Sequence, residues 1–504
     1  MKIKSCLLVF LICCLFNSGC QVISWFNPSV IEKVNPANQA SGSNPFDLFK
    51  VNLVVNQQKK LDASKTATHY KVDLIIDDAL TSISGHQDVY YTNGEGKALD
   101  TLYFNLIPNT GGDFLKVENI QINGSDVEGS KVFINSVLKI TLAELLQPGE
   151  SVEISMDFSE TVPQQMGGNY GLYIFQEEIL ALDSFFPIIP VFDEDGWNVQ
   201  NPPRNADMIY TDAAFFEVRV DAPKDLVLVA SGSEVGKAIK NGRQIVTFAG
   251  GPQRDFYLAA SPRFQSASKQ AGEVKITSYF PEEFSKSGEM VLATAEKALI
   301  DFSRRYGPYP YTELDLVSTP MQAGGMEYSG AAAMALGLYK MGNTKSGSPN
   351  SVFLEFATVH EVAHQWFFNQ VMNDQVKEPW LDEGLAQYLT YVYYLDTYGS
   401  EAAEQIYATF EKYWSRADMQ PIPIGKPAAD YEPEEYAAII YGRAPLFILE
   451  LEKEMGAEVF THFLADYVNT YQWKTVNTQQ FQSLAQETCD CDLTSLFEKW
   501  WAFD

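Results

Sequence analysis

Two histidines four residues apart, His360 and His364 in His360-Glu361-Val362-Ala363-His364, are followed after 18 residues by the carboxylate of Glu383. On an α-helix, positions i and i+4 share a face about 6 Å apart along the axis, so both imidazoles can reach a single ion at ~2.0–2.1 Å. With Glu383 as third ligand the set is that of a zinc site, one ion per chain, with the open fourth position of a catalytic centre. Glu361 lies on the same helix beside the metal, where it could act on a zinc-bound water. The chain has five histidines in 504 residues, so this spacing is not a by-product of abundance.

These groups need elements to hold them. Ser351 to Thr358 reads as helix with an apolar side of Val352, Phe353 and Phe356, and Pro349 marks its start. Gln365-Trp366-Phe367-Phe368 continues the pattern, and Leu381, Leu385 and Leu389 predict a second helix that carries Glu383. Further upstream the spacing predicts a strand at Val274 to Phe280, a helix from Pro281 to Tyr306 and a strand at Leu314 to Ser318. The glycine-rich Gly324-Gly325-Met326-Glu327-Tyr328 follows. Helical periodicity dominates from Ser351 onward, including Ala437 to Met455 and Phe460 to Tyr471. This gives an α+β catalytic domain over residues 263–450 and a C-terminal helical segment over 451–504.

Residues 66–262 have a different period. Tyr70 to Ile76, Ser151 to Met156 and Phe216 to Val220 alternate as strands, and Asn93-Gly94, Asn123-Gly124 and Asn241-Gly242 favour tight hairpins. The expectation is an antiparallel β domain without a cluster of catalytic residue types.

The whole chain sets further bounds. Its length suggests two to four domains at ~100–200 residues each, and 46% hydrophobic content is ample for their cores. A net charge of −29 with no Lys/Arg cluster excludes nucleic-acid binding, which needs cationic contacts to phosphate. Residues 1–20 read as an export signal, with Lys2 and Lys4 before an apolar run, Leu7 to Phe16, that is too short to span a membrane. Asn17-Ser18-Gly19-Cys20 is similar to a bacterial lipoprotein processing site, which makes Cys20 the lipidated residue. The expected location is outside the cytoplasm on a bacterial membrane, with simple secretion as the alternative. Residues 21–65 read as a tether. Cys489 and Cys491 are the cysteines beyond the signal; a disulfide, a soft-metal pair and two plain thiols stay open, and no function is assigned to them.

Taken together, His360-Glu361-x-x-His364, Glu383 in Trp380-Leu381-Asp382-Glu383-Gly384, and Gly324-Gly325-Met326-Glu327 resemble the aminopeptidase-N family of zinc metallopeptidases. These are gluzincins related to leukotriene hydrolase, here of a bacterial lipoprotein type. Phe192-Asp193-Glu194 and the C-terminal Asp492 to Trp501 extend the resemblance over residues 69–504. It implies a saddle-shaped N-terminal β domain, a thermolysin-like catalytic domain and a helical C-terminal portion, without the larger C-terminal domain of many relatives.

The resemblance also implies roles. Glu361 would take a proton from the zinc-bound water and pass it to the leaving amine, and Tyr441, in Ile440-Tyr441-Gly442-Arg443-Ala444, would stabilise the oxyanion. Arg443 and Ala444 depart from the family's Lys-Gly pair. Gly324, Gly325, Met326 and Glu327 would bind substrate, with Glu327 holding the α-amino group of a peptide. Tyr328 replaces the family's asparagine. The family's second amine anchor falls on Ala181, leaving Asp183, Glu177 or Glu178 as substitutes. The activity implied is removal of N-terminal residues from peptides. An endopeptidase with relaxed N-terminal recognition and a non-catalytic scaffold are the alternatives.

Overall fold

The computed structural model describes residues 45–501, apart from 168–169, 200–209, 341, 344–346 and 348. The expected export signal, Cys20 and residues 21–44 of the expected tether lie outside the described residues. The rest of the expected tether is built into the body. Two short 3₁₀ helices, Pro45–Asn52 and Gln58–Ser64, place Phe49, Leu53, Val54 and Leu61 in the core of the catalytic domain. Leu53 also bridges to Tyr311, and the Val54 amide donates to the Pro310 carbonyl. Each such apolar burial is worth roughly 1.5–3 kcal/mol, so four of them hold turns whose polar flanks look like linker in sequence.

The β domain is organised around an eight-stranded sheet in the order Ser233–Lys240, Arg243–Gln253, Ala214–Pro223, His69–Ile76, Ser82–Thr92, Ser151–Thr161, Leu115–Ile122, Ser125–Asp126. Alternation puts Tyr70, Val72, Leu74 and Ile76 on the buried face. One pairing corrects the antiparallel expectation: His69–Ile76 runs parallel to Ala214–Pro223. A period of two reports which face is buried and is blind to strand direction. Asn123-Gly124 and Asn241-Gly242 form the expected hairpin turns, with φ of 48° and 76° and of 54° and 80°. Asn93-Gly94 does not. Asn93 is buried, and its side-chain amide donates to the carbonyls of Lys97 and Leu146, so it braces a loop that leaves the sheet. A smaller sheet, in the order Val227–Ala230, Leu258–Ser261, Ile179–Leu182, Ile174–Gln176, packs toward the catalytic domain.

In the catalytic domain a five-stranded sheet has the order Phe264–Ala271, Val274–Pro281, Glu313–Thr319, Ala331–Ala335, Gly325–Tyr328, which leaves Gly325–Tyr328 at the edge. The helices are α1 (Ser285–Tyr306), α2 (Leu336–Tyr339), α3 (Asn350–Ala363), α4 (Trp380–Tyr398), α5 (Ser400–Trp414), α6 (Pro433–Ala438), α7 (Ala444–Met455), α8 (Ala457–Tyr471), α9 (Thr478–Cys489) and α10 (Thr494–Trp501). α1 lies on the sheet so closely that a Cβ at Gly288 would come within 1.9 Å of the Phe280 ring. Cys489 and Cys491 form a disulfide between α9 and α10, which closes the question left open by their spacing.

Candidate active site

α3 is a buried helix that ends at the site. Its last turn carries His360 and Glu361, and His364 caps it, the His364 amide donating to the His360 carbonyl at 3.2 Å. The helix does not run on through Phe368 as its apolar sequence suggests. The Asn369 amide and side chain both donate to the His364 carbonyl, at 3.0 and 3.3 Å, and Phe368 takes a φ of 136°. Trp366 and Phe367 are apolar because they are buried in a turn. The same turn orients the ligand: His364 Nδ1–H donates to the Phe367 carbonyl at 3.0 Å, which fixes the tautomer and leaves Nε2 as the free lone pair. α4 brings Glu383 in its first turn, where the helix N-terminus favours a carboxylate.

Three donor atoms meet between these helices. His360 Nε2 is 3.0 Å from Glu383 Oε2 and 3.1 Å from His364 Nε2, and His364 Nε2 is 3.5 Å from Glu383 Oε2. Two imidazole nitrogens and a carboxylate oxygen that aim at one point, all buried, fit a tetrahedral zinc ion with one position left over. Burial pulls His360 below the usual imidazole range, toward the neutral form that ligates, while the Glu383 hydrogen bond partly offsets it. For Glu383 burial alone would raise the pKa, but the two histidines hold the carboxyl far below its ordinary value.

The edge strand closes one side. A Cβ at Gly325 would fall 2.3 Å from Glu361 Oε1, so this glycine is required for the strand to lie against that carboxylate. Glu327, two residues on and buried, has a carboxylate oxygen within 4.8 Å of ligand atoms of His364 and Asp382. Tyr441 comes from a different direction, on a π-helical turn, Ile439–Arg443, between α6 and α7. Its hydroxyl donates to Glu383 Oε1.

The structure thus gathers His360, His364, Glu383, Glu361, Glu327 and Tyr441. At the expected second anchor, Ala181 lies in the buried apolar cluster that also holds Tyr257, Tyr328 and Ala331. Glu177 and Glu178 are exposed at a hairpin turn with φ of 52° and 59°. Asp183 is buried against Tyr328, and burial pushes its carboxyl up to about 7 despite the Ser184 and Tyr328 hydroxyls.

Sequence reasoning missed the groups that brace the site. Gln365 Nε2 donates to the Tyr328 carbonyl at 3.0 Å and Gln365 Oε1 accepts from Gly330 N at 3.1 Å, locking the edge strand to the turn after His364. Ser329 N donates to Asp255 of the β domain at 3.0 Å, and its hydroxyl donates to Asn369 at 2.8 Å. Arg254, fully buried, donates to the Asn373 carbonyl at 2.6 Å. Asp382 Oδ1 accepts the Glu383 amide and Oδ2 accepts from Gln375 at 3.0 Å. Asp382 and Gln365 sit next to ligands in sequence, a signal that was available. Asp255 and Ser329 carry none, since their partners are 74 and 40 residues away.

Comparison with known proteins agrees with this geometry. Residues 291–500, which include His360, His364 and Glu383, match the peptidase family M1 domain. That stretch carries the domain of the M1, or aminopeptidase-N, family of zinc metallopeptidases. Its metal is zinc, and His360, His364 and Glu383 are the residues that fit it. The chain is 22% identical over 423 residues to Aminopeptidase M1-B of Oryza sativa subsp. japonica, covering 77% of the chain and 45% of that relative. Aminopeptidase M1 of Arabidopsis thaliana is 24% identical over 299 residues, 57% of the chain and 34% of the relative. The chain therefore spans less than half the length of these curated relatives. An M1 zinc metallopeptidase from Deinococcus radiodurans shares the fold with a TM-score of 0.62 at 21% identity, covering 86% of this chain and 94% of that one. A variant of it bound to a Tyr-Ser-Ala substrate superposes similarly, at 0.61.

Proposed function

We propose that the protein is a zinc aminopeptidase that removes N-terminal residues from peptides outside the cytoplasm. The observation that carries the reading is the reach of Glu327 to the metal-ligand set, with oxygens and nitrogens of Glu327, His364 and Asp382 inside 4.8 Å of one another. An α-amine and the carbonyl carbon of its own residue are separated by about 2.5 Å, from standard bond lengths and angle. An ammonium held on Glu327 therefore brings the first peptide carbonyl, and no later one, to the ligand set. A buried carboxylate facing an ammonium is a charge-assisted pair of the strong kind.

When bound, zinc supplies Lewis acidity, making water nucleophilic near neutral pH and polarising the carbonyl. The chain's residues do the rest. The strand Gly325–Tyr328 lies at the edge of its sheet, where an extended peptide can lie alongside it. Glu361, pressed against Gly325, takes the proton from the attacking water and returns it to the leaving amine. The Tyr441 hydroxyl, at Glu383 Oε1, donates to the oxyanion of the tetrahedral intermediate. The sequence of residues 1–20 supports export, and lipidation at Cys20 would hold the enzyme at a membrane.

Ala181 at the second anchor favours one other reading, an endopeptidase with relaxed N-terminal recognition. The zinc-loaded protein, given a tripeptide and its N-acetylated twin, separates the two. Release of the first residue from the free-amine peptide alone is expected; equal rates would remove the aminopeptidase reading.

A further inference from the structure

Tyr441 stands on a π turn, in which the Ala444 amide bonds to the Ile439 carbonyl five residues back. Such a turn adds a residue to the helical repeat and swings every side chain in it, so the aim of Tyr441 depends on whatever keeps the turn from relaxing to α-helix. Two neighbours do this. Gly442 lies backbone to backbone on the end of α5, where a Cβ would meet Trp414 N at 2.6 Å and the Phe410 carbonyl at 2.8 Å. Arg443 is the second, and it is nearly fully buried.

Its Nη1 donates to the Ile422 carbonyl at 2.6 Å and to the Trp500 carbonyl at 3.3 Å, and its guanidinium lies 4.5 Å from the centre of the Trp500 ring. The Trp500 carbonyl also accepts from the Ile424 amide, and Trp500 Nε1 donates to Glu450 of α7 at 3.0 Å. One guanidinium thus joins the π turn, the segment after α5 and the end of α10.

We propose that Arg443 is a positioning residue that clamps the π turn to the C-terminal helix and so sets where the Tyr441 hydroxyl stands. The proposal rests on the reading of Tyr441 as oxyanion donor. The Nη1 amino group of a planar guanidinium fork can meet two carbonyls while the plane stacks on an indole, which no apolar side chain of similar length can do.

The test is a double-mutant cycle on the full, zinc-loaded chain with a free-amine tripeptide. Arg443→Met should lower kcat about tenfold or more, because a displacement near 1 Å can cost that much, with KM within about twofold. In a Tyr441→Phe background the same change should add nothing. Arg443→Lys keeps the charge and loses the fork, so it should give a smaller fall in kcat, again absent without the tyrosine hydroxyl; it carries the cycle if the Met variant does not fold. A crystal structure of the metal-free Arg443 variant should show the Tyr441 hydroxyl moved off Glu383 Oε1. Equal losses in both backgrounds, a raised KM at unchanged kcat, or an unmoved tyrosine would overturn the proposal. Unchanged kcat in Tyr441→Phe alone would instead overturn the oxyanion reading.

Discussion

Tyr441 donates its hydroxyl to one oxygen of Glu383 while the other oxygen of the same carboxylate lies 3.0 Å from His360 Nε2. A single carboxylate thus ties a residue from the π turn to the ligands of α3. Tyr441→Phe removes that donor and leaves the ligands in place. Zinc content by atomic absorption should be unchanged, and kcat should fall ~10²–10³-fold with little change in KM. A variant that turns over like the parent would end the oxyanion role.

Glu361→Gln keeps the shape of the side chain and removes its basicity. Loss of a general base costs typically ~10²–10⁴ in turnover. The variant should bind zinc with parental stoichiometry and be inactive across the pH range, and parental rates would rule out proton transfer at this position.

Glu327→Gln addresses recognition. The rise in KM should be confined to peptides with a free α-amine, on the order of tenfold or more for the loss of a charged partner. Measuring the N-acetylated twin in parallel decides the matter, since a loss common to both substrates would mean that Glu327 serves the fold.

Gly325→Ala puts a methyl group 2.3 Å from Glu361 Oε1. Either the edge strand or the carboxylate must shift, so kcat should drop while unfolding in urea changes by no more than about 1–3 kcal/mol, the usual cost of overpacking. Unimpaired turnover would show that the strand has slack there.

Asp183 gives a pH signature away from the metal. Its carboxyl titrates near 3.8 in the unfolded chain and about 7 in the fold, raised by burial. Below pH 4 both states hold the proton; between 4 and 7 the unfolded state releases it and the folded state does not, so stability falls as pH rises, by up to about 4 kcal/mol. Asp255, also pushed to about 7, adds a slope of the same sign. Asp183→Asn should flatten the decline between pH 5 and 8 in denaturant midpoints, and an unaltered slope would contradict its burial as an acid.

The cluster of His360, His364, Glu383 and Glu361 was legible because its spacing is a property of one helix and its neighbour in sequence. The β domain was legible by period, yet the parallel partner of His69–Ile76 was not, since alternation carries no direction. The segment 45–64 was misread for a related reason: Phe49 and Leu53 are too few to make a period, and what buries them is a core assembled from residues far along the chain. Tyr441 could be picked out among 26 tyrosines through a resemblance. The clamp on its turn could not, because Arg443 is held by carbonyl oxygens, and any residue has one of those.

The bonds from Arg254 and Asp255 to Asn373 and Ser329 also bear on how the enzyme can be engineered. Residues 263–501 hold every proposed catalytic group, yet a transplant of that segment onto a foreign β domain would leave the backbone on either side of the histidine cluster without its braces. Chimeras in this fold should carry their own residues 254–255 with them.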